Sequence, residues 1–405
     1  MPLSRVTIKS FKSIVDTTID LGQLNVLIGT NGSGKSNILE AIATLSCALD
    51  NRIDYAKLSE RGSRLSAPKI FKSSFTDATR SNHFTLHGDF GKLSYNGTIN
   101  AKENADFNFI TELFIRGKEK LPGRSNAGIA IPGLKGKITA QNGITSSLEA
   151  LGYFTNNDIK ELTAIRNYAI YSLSTPILRG VSEDSSRKEP LGLYGGGLAS
   201  ALSDVIYDYR KNNKEMSEHD LQLFFKMFDW FKQIGTTSDI STELLSNHVH
   251  TTTTVVKFAD KFMRESFNEL YAYDVSEGAL YVLFLVVLLL HKRSPDFFAL
   301  DNIDTALNPG MIKKTINSVA AMLKKMPTKQ VIMTTHNPST LDAIDLFNPS
   351  HRLFVVKRNA NGHTEAERVR PPDGFTRETW IETYGGMKLS EIWLSGIIGG
   401  LTDDF

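Results

Sequence analysis

Val26–Ile42 reads VLIGTNGSGKSNILEAI. Three apolar residues precede a glycine-studded loop that closes on Lys-Ser, and apolar residues then recur at helical spacing at Ile38, Ile42 and Leu45. The loop, Gly29-Thr30-Asn31-Gly32-Ser33-Gly34-Lys35-Ser36, fits G-x-x-x-x-G-K-[ST], and Asn25 to Ile28 have the character of a buried strand. A strand, a glycine loop and a helix start together build a phosphate cradle. The glycines let backbone N–H groups turn inward on an anion, and the helix N-terminus favours negative charge. The loop therefore predicts nucleoside triphosphate binding through Gly29, Asn31, Gly32, Ser33, Gly34, Lys35, Ser36 and Asn37. Lys35 would reach the β- and γ-phosphates, and the Ser36 hydroxyl would hold Mg2+.

The chain has 405 residues, enough for two or three domains. Its 41% hydrophobic and 22% charged content is that of a soluble globular protein. A net charge of +2 excludes a generally basic nucleic-acid binder. Any DNA surface must be a local patch, for which Lys57, Arg61 and Arg64, or Lys211 and Lys214, are the candidates. Cys47 is the only cysteine, which excludes a disulfide framework and cysteine-based zinc sites. Residues 1–13 alternate like a strand and lack the apolar core of a signal peptide. The longest apolar run, Ala279 to Leu290, is 12 residues and too short for a bilayer. A cytoplasmic protein without membrane contact is expected.

Outward from the loop, RVTIKSF and TTIDLGQLNVLI read as two strands feeding it. Residues 84–116 alternate apolar and polar, with a hairpin signal at Asn96-Gly97, and Asn142-Gly143 offers a second such turn. These predict an antiparallel sheet flanking the nucleotide core. Residues 146–165 and 198–235 read as mainly helical, and 236–255 as Ser/Thr-rich loop or edge strand. SEGALYVLFLVVLLLHKR is a helix apolar almost all round, hence buried. DFFALD and QVIMTTH are buried strands ending in Asp301 and His336. Asn308-Pro309 caps a helix with Ile312, Ile316, Val319 and Leu323 on one face, and RLFVVKRNANGHTEAERV is a hairpin turning at Asn361-Gly362. A phosphate loop needs a metal-holding acid at the end of another strand, and Asp301 stands at such a place.

VSEGALYVLFLVVLL, FFALDNIDTALNP and VIMTTHNP, in that order, resemble the second lobe of ABC-type ATPases of the RecF/SMC kind. More narrowly, the chain resembles the bacterial AAA-type ATPases that include the OLD and Septu proteins of antiphage defence, to which TPILRG and GLYGGGLASAL are also similar. The resemblance covers the first 50 residues and about residues 270–345; much of 55–270 carries no motif. It implies an α/β fold: an ABC-ATPase head with a flanking antiparallel β-subdomain and a helical insertion. The implied division is a first lobe over 1–145, a mainly helical insertion over 146–260, and a second lobe over 261–405.

By the same resemblance, Ser276 and Gly278 match the signature that binds the γ-phosphate held by the opposite subunit. Asp304 to Pro309 fall on the dimer-contact loop, and His336 on the γ-phosphate-sensing histidine. Lys12 and Ser13 lie where related ATPases touch the nucleotide. One position departs from the pattern: the family places a general-base Glu after the metal Asp, and this chain has Asn302, whose amide cannot accept a proton. Asp304 matches a second acid of the narrower group. The implied catalytic set is Lys35, Asp301, Asn302, Asp304 and His336, with Ser36 and Asp301 on Mg2+ and ATP as substrate.

The implied protein is a slow ATPase that dimerises, or assembles further, around ATP and controls a separate nuclease or toxin. About 70 residues follow His336, too few and too poor in acid clusters for a complete Toprim nuclease, so the effector is expected on a partner. The alternatives are a DNA repair or chromosome-structure ATPase, a transporter motor subunit, and a non-hydrolysing scaffold that keeps ATP as a structural ligand.

Overall fold

The computed structural model describes residues 2–77, 79–102, 107–186, 188–211 and 227–398. The chain divides into two compact units: residues 1–170, 295–302 and 327–405, and residues 171–294 and 303–326.

The first unit holds two sheets. Its six-stranded sheet runs in the order Ala169–Tyr171, Phe297–Leu300, Gln330–Thr335, Leu24–Ile28, His351–Arg358, Thr364–Val369. The three strands around the phosphate loop pair in parallel and are buried at every position, as strands covered on both faces are. The C-terminal hairpin turns near Asn361-Gly362, as read, and adds an antiparallel edge. The second sheet is antiparallel, with Ile14–Asp20, Arg5–Phe11, Phe84–Phe90, Leu93–Ala101 and Phe107–Arg116 as its main strands. Its inward residues pack on the phosphate-loop helix, Lys35–Leu49, which is buried along most of its length. Phe71 meets Phe11 and Phe107 edge-on, with ring centroids 5.8 and 5.0 Å apart.

Four local expectations are corrected. TTIDLGQLNVLI is two strands, because the Asn25 side chain accepts from the Gly22 N–H (2.7 Å) and donates to its carbonyl (2.9 Å), closing a turn between the two sheets. Asn96-Gly97 lies inside a strand; the chain turns at Gly91, where φ is +59°. Gly97 leaves room for the Tyr95 ring, whose hydroxyl lies 2.3 Å from where a Cβ would sit. Asn142-Gly143 is no hairpin, since Asn142 bridges Arg52 and the Gly143 N–H donates to the Asn51 carbonyl at 2.7 Å. The helix expected over 198–235 is Leu198–Lys211; residues 212–226 lie outside the described residues, and Phe231–Thr237 is a strand paired with Val255–Asp260.

In the second unit, Glu277–Leu290 is the helix read as apolar all round, and Gly278 to Leu289 are all buried. Asn308 caps Pro309–Lys325 by accepting from the Met311 N–H at 2.9 Å, and Ile312, Ile316, Val319 and Leu323 are buried. Among the described residues, no helix is long and apolar enough to cross a membrane.

Glu112 is fully buried beneath the antiparallel sheet, and burial pushes its carboxyl up to about 7 against the opposing pull of Arg124. Between its unfolded value and about 7 the folded state alone holds the proton, so stability falls as pH rises, by ~1.4 kcal/mol per pH unit for one proton. Glu112→Gln keeps an acceptor for the Tyr95 hydroxyl and removes the titration. Urea unfolding from pH 5 to 8 is expected to show a shallower loss of stability in the variant; identical slopes would contradict this assignment.

Candidate functional site

The loop is shaped by what touches it from outside. A Cβ at Gly29 would lie 2.1 Å from the Val356 carbonyl oxygen, so only glycine lets the strand His351–Arg358 approach. Gly34, with φ at +108°, faces Thr364 so closely that a Cβ would meet its Oγ1 at 2.1 Å. Lys35 crosses back over the loop and donates to the carbonyls of Gly29 (2.7 Å) and Thr30 (3.0 Å). Asn31 and Gly32 form the exposed tip. Ser33 is buried, and its hydroxyl has no hydrogen-bond partner among the described residues, a donor that a phosphate oxygen would satisfy.

The helix start then meets an acid from 265 residues away. Ser36 Oγ donates to Asp301 Oδ2 at 3.2 Å. The other carboxylate oxygen accepts from Thr334 Oγ1, and Thr334 Oγ1 in turn accepts from the Asn302 N–H at 2.8 Å. A hydroxyl and a carboxylate at this separation are hard oxygen donors of the kind that suit Mg2+, whose remaining ligands would come from phosphate and water. The described residues contain no group of three or more His, Cys, Asp or Glu side chains able to hold a metal, so the donor set fits a nucleotide-borne cation and not an all-protein cage. Asn302 adopts φ +56°, a left-handed conformation that Asn tolerates better than most residues.

Lys35, Ser36, Asn37, Asp301, Asn302 and His336 belong to the first unit, and Ser276, Gly278 and Asp304 to the second. His336 is exposed just past Thr335, which pairs with Ile28 beside the loop. Ser276 stands exposed at the N-cap of Glu277–Leu290, and its side chain makes no capping hydrogen bond. Gly278 is buried, 3.1 Å from the Ala306 carbonyl at its would-be Cβ, and Asp304 is buried in the turn after the Asp301 strand.

The structure adds a polar relay that the motifs did not show. Thr364 Oγ1 bonds the Ser33 carbonyl (2.8 Å) and Ser13 Oγ (2.7 Å); Asn37 Nδ2 donates to Ser13 Oγ (2.6 Å), and Arg64 donates to Asn37 Oδ1 (2.8 Å). Arg64 and Lys12 both pair with the buried Glu40. Burial would push the Glu40 carboxyl up, but the Arg64 hydrogen bond and the Lys12 charge outweigh it and hold it below its usual value. Burial lowers the Lys12 ammonium despite Glu40. Arg358 clamps the loop tip by donating to the Gly32 carbonyl at 3.1 Å.

Lys57, Arg61 and Arg64 are therefore not a free basic surface. Lys57 and Arg61 bind Asp50, Arg61 is buried, and Arg64 serves Glu40. Lys211 sits over the Tyr207 ring, 5.8 Å from its centroid, and Lys214 lies outside the described residues. A cavity of about 550 Å3 opens beside the relay, with Ser13, Asn37 and Arg358 in its wall.

Residues 1–341 match the AAA ATPase domain family, and the chain belongs to that family. Over 46 residues it is 54% identical to the DNA replication and repair protein RecF of Vibrio campbellii (strain ATCC BAA-1116). That stretch is 11% of this chain and spans 13% of the relative's length. The crystal structure of an SMC head bound to the C-winged helix domain of ScpA superposes with a TM-score of 0.56 at 12% identity, covering 92% of this chain and 99% of that one. The SMC head domain from Thermotoga maritima is similar with a TM-score of 0.47, 14% identity, and 92% and 100% coverage. The fold is that of an SMC-type ABC-ATPase head, with its antiparallel sheet beside the parallel one.

Thr364→Val keeps the side-chain shape and removes two hydrogen bonds from the loop's support, each worth ~1 kcal/mol. Titration with a fluorescent ATP analogue is expected to show binding weaker by up to about thirtyfold, the equivalent of ~2 kcal/mol, with Thr364→Ser restoring it. Unchanged affinity in the Val variant would mean that the loop holds its shape alone.

Proposed function

We propose that this chain is a slow, Mg2+-dependent ATPase that closes into a dimer around ATP and serves as a molecular switch. The observation that carries the reading is the Ser36–Asp301 contact, which joins the end of the phosphate loop to an acid at the end of another parallel strand. Membership of an ATPase family supports it.

In this reading the loop N–H groups and the Lys35 ammonium neutralise the β- and γ-phosphates. Ser36 and Asp301 hold Mg2+, which supplies charge stabilisation at the transferring phosphoryl group. Thr334 fixes the Asp301 carboxylate by occupying one of its oxygens. Asn31, Gly32, Ser33 and Asn37 complete the polar wall around the phosphates. His336 senses the γ-phosphate. Asn302 positions water without taking its proton, and Asp304 supplies the remaining acid. Ser276 and Gly278 meet the γ-phosphate held by a second copy, Ser276 standing exposed at a helix start suited to an anion. ATP then joins the two copies, and its loss releases them.

Two outputs are compatible with this engine. Control of a separate nuclease or toxin in antiphage defence rests on the sequence resemblance to OLD and Septu proteins. A DNA repair role is favoured by the short, strong match to a DNA replication and repair protein. Turnover stimulated by duplex DNA, and lost as salt rises, favours the second; indifference to DNA favours the first.

Lys35→Ala is expected to weaken ATP binding at least a hundredfold, and Asp301→Asn to bind ATP but lose Mg2+-dependent turnover. Ser276→Arg should bind ATP as a monomer in analytical ultracentrifugation, whereas the unsubstituted chain dimerises with ATP. Asn302→Glu should raise turnover tenfold or more. Tens of ATP per second in the unsubstituted chain, falling in Asn302→Ala, would defeat the slow-switch reading.

A further inference from the structure

The C-terminal hairpin has a second end. Its turn end grips the phosphate loop through Arg358 and Thr364. Arg352 stands near its open end, roughly 20 Å from Arg358 at ~3.3 Å per strand residue. Phe354 pairs with Arg368 across the hairpin, and Arg352 lies two residues before Phe354. Arg352 and Arg368 are therefore diagonal neighbours on one face. Arg370 follows Arg368 by two residues, just past the end of Thr364–Val369. Phe354 takes that face into the core, and the arginines stand at its margin, Arg352 and Arg368 half-buried and Arg370 exposed. The Arg352 stem is held by its neighbours: a Cβ on Gly22 would lie 3.0 Å from Arg352 Cγ.

These charges are short of partners. The Nε of Arg352 and the Nε of Arg368 are buried without a hydrogen-bond partner among the described residues. Arg352 Nη1 donates to the Pro349 and His351 carbonyls, which are neutral. Among the described residues, none of the three arginines forms an ion pair. Asp20, whose charge reaches Arg352 and Arg368, is held by Arg5 at 2.6 Å. Nearby acids on the same segment are engaged too, Glu367 by Lys357 and Asp345 by Arg377. Burial, and then the charges of Arg352 and Arg370, lower the Arg368 guanidinium to about 10 against the opposing pull of Asp20.

The strands fix these side chains at their roots, so repulsion alone cannot part them. An anion seated among the forks would offset both the burial and the like charge. Guanidinium forks match phosphate oxygens two at a time. The phosphates of a nucleotide on the loop are too distant to be that anion.

We propose that Arg352, Arg368 and Arg370 form a second phosphate-binding site, at the open end of the hairpin and separate from the nucleotide loop. The phosphate group has two sources, free orthophosphate or the backbone of a DNA duplex.

The test uses the full chain carrying Lys35→Ala, which weakens the phosphate loop and leaves the hairpin arginines in place. Calorimetric titration with inorganic phosphate and anisotropy titration with a labelled DNA duplex, both without nucleotide, are expected to show binding of at least one. Arg368→Gln with Arg370→Gln in that background should weaken it tenfold or more. A loss for phosphate alone identifies the free anion. A loss for DNA, with the slope of log affinity against log salt shallower by about two, identifies the backbone. The same two substitutions with Lys35 present should leave ATP affinity unchanged, which shows that the fold is intact. Where ATP affinity does fall, Arg370→Gln alone, at an exposed position, decides: threefold weaker phosphate or DNA binding supports the site, and no change overturns it. Failure of both ligands to bind the Lys35→Ala chain overturns the proposal, as does binding that survives the arginine substitutions. Failure of ATP to bind the unsubstituted chain defeats the nucleotide reading and leaves this site to stand or fall on its own titrations.

Discussion

The site depends on a register. Leu300 pairs with Met333, and Met333 with Val26, across three parallel strands that are remote in sequence. Strands buried on both faces have no apolar–polar alternation to select among registers. Two fully buried amides select the pairing of Leu24–Ile28 with Gln330–Thr335. Asn25 bonds Gly22 through both ends of its amide and donates to the Val331 carbonyl at 3.0 Å. Gln330 exchanges hydrogen bonds with the Leu3 backbone and donates to the Gly22 carbonyl. A slip by one residue would leave several of these groups buried and unpaired, at about 1–3 kcal/mol each. The pairing of Leu24–Ile28 with Gln330–Thr335 is thus specified at the end of those strands opposite the site, while Thr334 ties Asp301 in at the near end.

What could be read from sequence was what is local. The phosphate loop carries its chemistry in eight consecutive residues, and the strands ending in Asp301 and His336 announce themselves by unbroken apolar runs. The long-range pairs had no such signal. Thr364 supports the loop from a position 351 residues after Ser13, and it reads in sequence as the polar start of a hairpin strand. Thr334 was legible only as part of a strand. Asn96-Gly97 misled because the dipeptide serves turns and also, as here, the space beneath an aromatic ring. Phe231–Thr237 misled because its apolar residues suit either period over so short a length.

The phosphate loop is therefore not a freestanding motif. Its glycines are needed as much for the protein that approaches them, Val356 and Thr364, as for the anion they face. The C-terminal hairpin grips the loop at Gly29, Gly32, Ser33 and Gly34, so a displacement of the hairpin must be felt in the loop. The relay from Ser13 to Glu40 carries the same support along the helix flank. Glu40 would be a costly buried charge alone. Two cations hold it, one of them exposed, and that arrangement orders Arg64 against Asn37, one residue past Ser36.

Asn302 shows how binding and cleavage can be separated within this frame. Its N–H and Asp301 both engage the Thr334 hydroxyl, so the backbone at 302 and the acid at 301 are fixed together. The left-handed conformation there costs an Asn little and a longer side chain more. An amide adds no negative charge next to the phosphates and takes no proton from water. In the proposed reading, a site with Asp301 on the metal and an amide at 302 would hold a triphosphate without hastening its cleavage. In the dimeric switch proposed above, that choice would set the lifetime of the closed state by chemistry at one residue while leaving the strength of the grip to the loop and its supports.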